Sequence, residues 1–469
     1  MLSSSYQFHF WTGGAWMTGT NRLIILVSLF LVVGVCSFAR AESADQAIDA
    51  GSEIWVDGPE NVDLLGDDDF PDVGVDESGR RIYVWTNFFP TNPERGEIAL
   101  RRFDSDGNPL EDPRVINTTS DNTQDHPRVA VAGDETFLVA WESEEFDPDD
   151  STNRRFVRSQ LFAASGTTSG PEQLLSISSG DGAPISVDVA ALRVADGSSG
   201  GFVAVWDSFN TDGSDNSGSS IQAQMISAAG VPNGDQFEVN TTFPGSQRDA
   251  AVAELADGGF LVVWSDPGVQ GRRYSDAGAP AGPQFQINTE YAGVGLEADV
   301  AIGWDGVIAV VWEDSDEPGD SEEIRARLYD SDLSPLGPDF RVNTLLTGDQ
   351  KFPRIGDYGP MGFLVTWQSA SSVGTDTTES IQARLVTGPN QFDGPQVQFN
   401  VYETSIQDTP ATHGWYGRLG SAWQSDGNDQ DPPPTDDHIT GRHIEYCLFC
   451  DDLEWGSTWR WGFTVGSFR

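Results

Sequence analysis

Lysine is almost missing from this chain of 469 residues: Lys351 stands alone against 25 arginines, while aspartate and glutamate number 73, for a formal net charge of −47. No basic patch can form that would neutralise phosphates or an anionic bilayer, so nucleic-acid and membrane-surface binding are excluded as functions. Long helices are disfavoured by 51 glycines and 26 prolines. Cysteine occurs three times and histidine five. No H-E-x-x-H, G-x-S-x-G, P-loop or S-x-D-x-G-x-x-W box is present. What remains, 38% hydrophobic residues with 15 tryptophans and 26 phenylalanines, is enough to build a substantial core.

There is one long apolar run, Leu23 to Phe38, preceded by Arg22 and followed by Ala39-Arg40-Ala41. This reads as a secretory signal peptide over residues 1–41, cleaved after Ala41, with Met17 the more natural initiator and residues 1–16 a start-site artefact. At 16 residues the run is slightly short for a membrane span. Val35 before Cys36 argues against a lipoprotein. An exported protein without a membrane span is expected, secreted or at the cell surface. In such a protein Cys447 and Cys450 are expected to form a local disulfide, because no second C-x-x-C or neighbouring histidine pair completes a zinc site.

Internal periodicity decides the architecture. An apolar run ending in tryptophan recurs at Trp85, Trp141, Trp206, Trp264, Trp312, Trp367 and Trp423, with spacings of 56, 65, 58, 48, 55 and 56 residues. Each interval holds four short alternating segments punctuated by Gly, Asn, Asp and Pro, the signature of strands and turns. Fourth segments end alike, in Phe237-Glu238-Val239-Asn240-Thr241, Phe285-Gln286-Ile287-Asn288-Thr289 and Phe340-Arg341-Val342-Asn343-Thr344. Their Asn-Thr ends match glycosylation sequons, yet as repeat elements they read as side-chain caps. Seven units of four strands predict an all-β, seven-bladed β-propeller over residues 42–450, followed by a tail at 451–469, because radial closure protects the sheet edges. The seventh unit lacks a fourth strand and an orphan strand near Ile54 precedes the first unit, so the orphan should complete the last blade beside residues 439–448.

Gly200-Gly201-Phe202-Val203-Ala204-Val205-Trp206 and Gly258-Gly259-Phe260-Leu261-Val262-Val263-Trp264, with Ile221-Gln222-Ala223-Gln224 and the F-x-V-N-T ends, resemble the repeats of about 50 residues found in large secreted bacterial proteins. These include some repeats-in-toxin adhesins. The resemblance covers nearly the whole mature chain and implies an exported, surface-associated protein without an assigned reaction. The segment 450–459 resembles a short C-terminal element, D-x-F-E-S-G-x-x-x-x-W, departing from it at Leu453 and Trp455.

The acid is expected on one rim, in the loops between second and third strands: Glu142, Glu144, Glu145, Asp147, Asp149 and Asp150 in blade 2, Asp207, Asp212 and Asp215 in blade 3, Glu313, Asp314, Asp316, Glu317, Asp320, Glu322 and Glu323 in blade 5, and Asp426, Asp429, Asp431, Asp436 and Asp437 in blade 7. Asp426, Asp429 and Asp431, alternating with other oxygen donors around Gly427, are the sharpest candidate for Ca²⁺, with a solvated acidic loop as the alternative. The repeat tryptophans are expected to wedge between blades, and the histidines His413, His438 and His443 to cluster by chance. The leading functional expectation is a non-enzymatic binding or surface-interaction module for an extracellular glycan or protein. An extracellular polysaccharide hydrolase or lyase on the same scaffold is the alternative. A blade-specific cluster of carboxylates with Arg or His on the central channel would favour the enzyme; uniform blades would favour the binder.

Overall fold

The computed structural model describes residues 54–57, 67–88, 95–120, 122–147, 152–176, 184–193, 199–209, 217–241, 245–289, 295–314, 322–376, 378–400, 406–415, 418–426 and 437–445. These form seven four-stranded antiparallel sheets, the blades of a seven-bladed β-propeller. Six blades are built from consecutive strands. The seventh takes Gln407–Trp415, Arg418–Asp426 and Asp437–Glu445 from the end of the chain and Ile54–Trp55 from its beginning. Ile54 pairs with Gly441 and Trp55 with Thr440, the closure the orphan strand foretold. Blade 7 is also bonded sideways to blade 1, through Arg81 Nη2 donating to the Leu419 carbonyl at 3.3 Å and Arg418 Nη1 to that of Glu77 at 2.5 Å.

All seven repeat tryptophans are fully buried. Each second strand is apolar on both faces because blades cover it from either side; Phe260–Asp266 and Ile308–Asp314 are buried throughout. The core clusters cross blade boundaries: Trp264 packs with Val203, Val205 and Ile221 of blade 3, and Trp85 with Ala411 and Ala422 of blade 7. The tryptophan is therefore the wedge between one blade and the next.

The fourth strands are only two residues long in blades 1 to 5, so their ends leave third-strand N–H groups to be satisfied by side chains. The repeat asparagine does this. Asn117, Asn240, Asn288, Asn343 and Asn400 accept from Ile98, Ile221, Val269, Ile324 and Ile381 at 2.8–3.0 Å. Blade 2 uses Ser176, accepting from Val157 at 2.8 Å. The following threonine ties blades together: the N–H groups of Thr118, Thr241, Thr289 and Thr344 donate to Glu172, Gln284, Asp339 and Gln396 of the next blade.

Among the described residues, no helix is long and apolar enough to cross a membrane.

Candidate functional site

The first strands of the blades, Asp67–Val75, Gln124–Val131, Pro184–Arg193, Arg248–Glu254, Gly295–Ile302, Gln350–Asp357 and Gln407–Trp415, surround a central cavity of about 200 Å³. Every one of them enters through a β-bulge, a register shift near its start. Inside each bulge sits one non-glycine residue with positive φ: Phe70 at 51°, His126 at 49°, Ser186 at 60°, Asp249 at 54°, Glu297 at 50°, Phe352 at 50° and Thr409 at 42°. Such a conformation is rare outside glycine, and its sevenfold recurrence makes it a built feature of the ring.

In blades 1, 2, 3 and 5 the residue after the repeat tryptophan holds the bulge of the next blade in place. Thr86 Oγ1 accepts from the His126 N–H at 3.2 Å and Glu142 Oε1 from the Ser186 N–H at 2.7 Å. Asp207 and Glu313 accept in the same way from the backbone of Asp249 and Phe352. This corrects the loop placement expected for part of the acid; Asp149, Asp150, Asp212, Asp215, Asp316, Glu317 and Asp320 lie outside the described residues. Glu142, Glu144, Glu145, Asp147, Asp207, Glu313 and Asp314 all lie on second strands, and Glu142, Asp207, Glu313 and Asp314 are buried. The strand continues past the tryptophan because the bulge of the neighbouring blade offers its N–H there.

Deeper in the channel, two residues beyond each bulge position, runs a ring of Asp72, Arg128, Asp188, Ala251, Asp299, Arg354 and Ala411. Its aspartates bridge blades: Asp72 Oδ2 accepts from Val129 at 2.8 Å, Asp188 Oδ2 from Val252 at 2.7 Å and Asp299 Oδ2 from Ile355 at 2.9 Å. The two arginines donate from Nη1 to the carbonyls of Pro127 and Pro353, each at 2.9 Å. Burial raises the carboxyl pKa of Asp72 against the pull of Arg128, and that of Asp299 against Arg354. Burial and the neighbouring Asp299 push Asp188 up to about 7. Burial disfavours the charge on Arg354, but Glu297, Asp299, Asp72 and Asp188 outweigh it and hold the guanidinium charged.

The mouth above this ring is chemically uneven. On one side the imidazole of His126 stacks on Phe70 with ring centroids 3.8 Å apart, and its Nδ1 lies 3.3 Å from Asp125 and 3.9 Å from Glu142. Burial opposes the imidazolium, yet the Asp125 hydrogen bond and the charge of Glu142 raise its pKa. On the other side burial raises Asp207, Asp249 and Glu297, with Asp249 adding to the rise of both Asp207 and Glu297. Burial, then Glu322 and Glu297, carry Glu313 up to about 8. Burial thus favours the neutral form of these carboxyls, while Asp125 and Glu142 favour the charged form of the His126 imidazole.

His413 lines the channel near the far end of its strand, where burial and then Arg193 lower its pKa to about 4. The side chains of His438 and His443 lie outside the described residues, as do Asp429, Asp431, Cys447 and Cys450. Asp426 ends the strand Arg418–Asp426, paired with Asp437. Among the described residues no group of three or more His, Cys, Asp or Glu side chains is placed to hold a metal ion. The mouth residues escaped sequence reasoning because their backbone is extreme without glycine. A usable signal was the aligned x-Pro of Phe70-Pro71, His126-Pro127, Phe352-Pro353 and Thr409-Pro410.

The strand pairing thus defines a seven-bladed β-propeller with a blade-specific channel mouth. No protein-family model matches the chain, and no curated protein does. Solved structures similar to it include a protein of unknown function from Dyadobacter fermentans, at 11% identity and TM-score 0.49, covering 86% of this chain and 100% of that one. The polysaccharide lyase Uly1 is similar at 10% identity and TM-score 0.45, covering 87% and 94%, and the intramolecular trans-sialidase from Ruminococcus gnavus at 9% and 0.43, covering 82% and 97%. These scores lie below 0.5, and the propeller assignment rests on the strand pairing of the chain itself.

Proposed function

We propose that the chain is a secreted, acidic propeller that binds an extracellular ligand, a glycan or a protein, at the bulge-lined mouth of its central channel. One observation carries this reading. The wedge tryptophans keep one chemistry around the ring, whereas the seven bulge positions keep one backbone conformation and vary their side chains, from Phe70 and Phe352 through His126 and Ser186 to Asp249, Glu297 and Thr409. A scaffold position repeats its chemistry; a recognition position repeats only its placement.

The second reading, an extracellular polysaccharide hydrolase or lyase, is favoured by the same mouth, since it meets the criterion of carboxylates with His and Arg on the channel. Asp125 and Glu142 raise the pKa of His126, and burial with Glu322 and Glu297 carries Glu313 up to about 8; shifted groups of this kind are what general acid–base catalysis draws on. A panel of neutral, acidic and amino polysaccharides, screened for binding and for chain scission, separates the two. Binding without scission, lost in the triple variant His126→Asn, Asp249→Asn, Glu297→Gln, supports the module. Scission abolished by His126→Asn supports the enzyme. A ligand held equally well by the triple variant would move the site away from the mouth.

A further inference from the structure

The rim opposite the mouth carries the turns between first and second strands and between third and fourth. In blades 1, 2, 4 and 5 the first of these turns is closed alike, by N–H to O bonds from Gly79 to Asp76, Glu135 to Ala132, Gly258 to Leu255 and Gly306 to Gly303, at 2.8–3.0 Å. The second residue of this turn is Glu77, Gly133 and Ala256 in three of these blades and Trp304 in blade 5. Trp304 is 49% exposed, whereas all seven repeat tryptophans are at 0%.

Blade 6 breaks the repeat beside it, twice. Its equivalent turn is a single 3-10 turn, Gly359–Met361, containing Pro360 and followed by Gly362 at φ 104°. Its fourth strand, Gln391–Gln398, has eight residues where blades 1 to 5 have two, and it forms a tight hairpin with Ser380–Gly388 through Pro389 and Asn390. The three departures meet at one place. They wall a cavity of about 200 Å³, separate from the channel, in which Trp304 faces a lining that includes Leu336, Pro360, Phe363, Thr387 and Pro389. Asp305 is the only charged side chain among the described lining residues.

We propose that this cleft between blades 5 and 6 is a binding subsite for one neutral sugar unit of an oligosaccharide, stacked on Trp304. A pyranose ring has an apolar C–H face and a hydroxyl edge. An exposed indole over an apolar floor takes the face, while the Asp305 carboxylate and the Thr387 hydroxyl lie within the same lining to take the edge. Charge selects among sugars: the lining offers no cation to pair with a uronate or a sulfate, and the chain carries −47. Anionic polymers are repelled by both. The subsite does not depend on the channel mouth.

The test is calorimetric titration of the full mature protein with neutral hexasaccharides of glucose, mannose and xylose, and with oligoguluronate as the anionic control. At least one neutral oligomer should bind, weakened about tenfold or more by Trp304→Ala and largely restored by Trp304→Phe, while oligoguluronate binds no tighter. Trp304→Ala should melt with the wild type, since the side chain stands on an exposed turn, and Val231→Ala, an exposed apolar side chain on the same rim in blade 3, should leave the affinity unchanged. Failure of every neutral oligomer to bind, affinity unchanged in Trp304→Ala, or tighter binding of the anionic control would each overturn the proposal. So would loss of affinity in Glu297→Gln with none in Trp304→Ala, which would transfer the sugar to the mouth.

Discussion

Replacing Glu313 by Gln should make the protein more stable at neutral pH and leave it unchanged in acid. Glu313 is buried on the second strand of blade 5, where desolvation and the nearby Glu322 and Glu297 raise its pKa from 4.5 to about 8, against the pull of Lys351 and the Phe352 N–H. The folded state therefore holds a proton that the unfolded chain releases as soon as the pH passes 4.5. Stability from this group is fully present below that value and is lost as pH rises through about 8. One pKa unit is worth about 1.4 kcal/mol, so at pH 7 the wild type carries a penalty of order 3 kcal/mol that it lacks at pH 4. An amide has nearly the shape of the neutral acid and never ionises. Urea unfolding of both proteins, followed by tryptophan fluorescence at matched ionic strength from about pH 4.5 to pH 8, should show coincident stabilities at the acid end and a gap in favour of Glu313→Gln that widens with pH. A gap independent of pH would refute the claim that Glu313 is held neutral by its surroundings, and with it the electrostatic picture of the mouth.

Three further outcomes are expected. Asn240→Ala strips the acceptor from the buried Ile221 N–H and should cost about 1–3 kcal/mol in chemical denaturation, whereas Asn240→Ser should cost less because Ser176 fills the equivalent place in blade 2. Cys447 and Cys450 should leave no thiol free when the mature protein is denatured without reductant and titrated; two reactive thiols would contradict the disulfide. Ca²⁺ at millimolar concentration should raise the melting temperature more than Na⁺ at the same ionic strength, by up to about 2.7 kcal/mol of stabilisation at a hundredfold excess over Kd, and the excess should vanish when Asp426, Asp429 and Asp431 are changed to Asn. A shift that survives those changes would place the ion elsewhere.

The ring was legible because the residues that build it repeat their chemistry. A tryptophan wedge, an Asn cap and a Gly or Asp hairpin turn are demanded by the same backbone in successive blades, so each recurs at a fixed offset, and the missing fourth strand at the end of the chain pointed to Ile54. The mouth was illegible for the converse reason. Bulge positions share a backbone and no common side-chain type, so Phe70, Ser186 and Glu297 cannot be recognised as equivalents without the strand register. Acid after the tryptophan read as loop because consecutive carboxylates such as Glu142, Glu144 and Glu145 look solvated. Glu142 is instead 2% exposed, with its charge cost offset by the Ser186 N–H, Arg155 at 3.2 Å and His126. Trp304 has the same residue type as the buried wedges, and only its place on an exposed first-to-second-strand turn sets it apart from them.

The central claim is that ligand is taken at the bulge-lined mouth, and hydrogen–deuterium exchange of the mature protein with and without a polysaccharide that scores in the screen tests it directly. The account predicts ligand-dependent protection in peptides spanning residues 67–75, 124–131, 248–254 and 295–302, where the bulges lie. Protection confined to the outer strands, with those four segments unchanged, would contradict it.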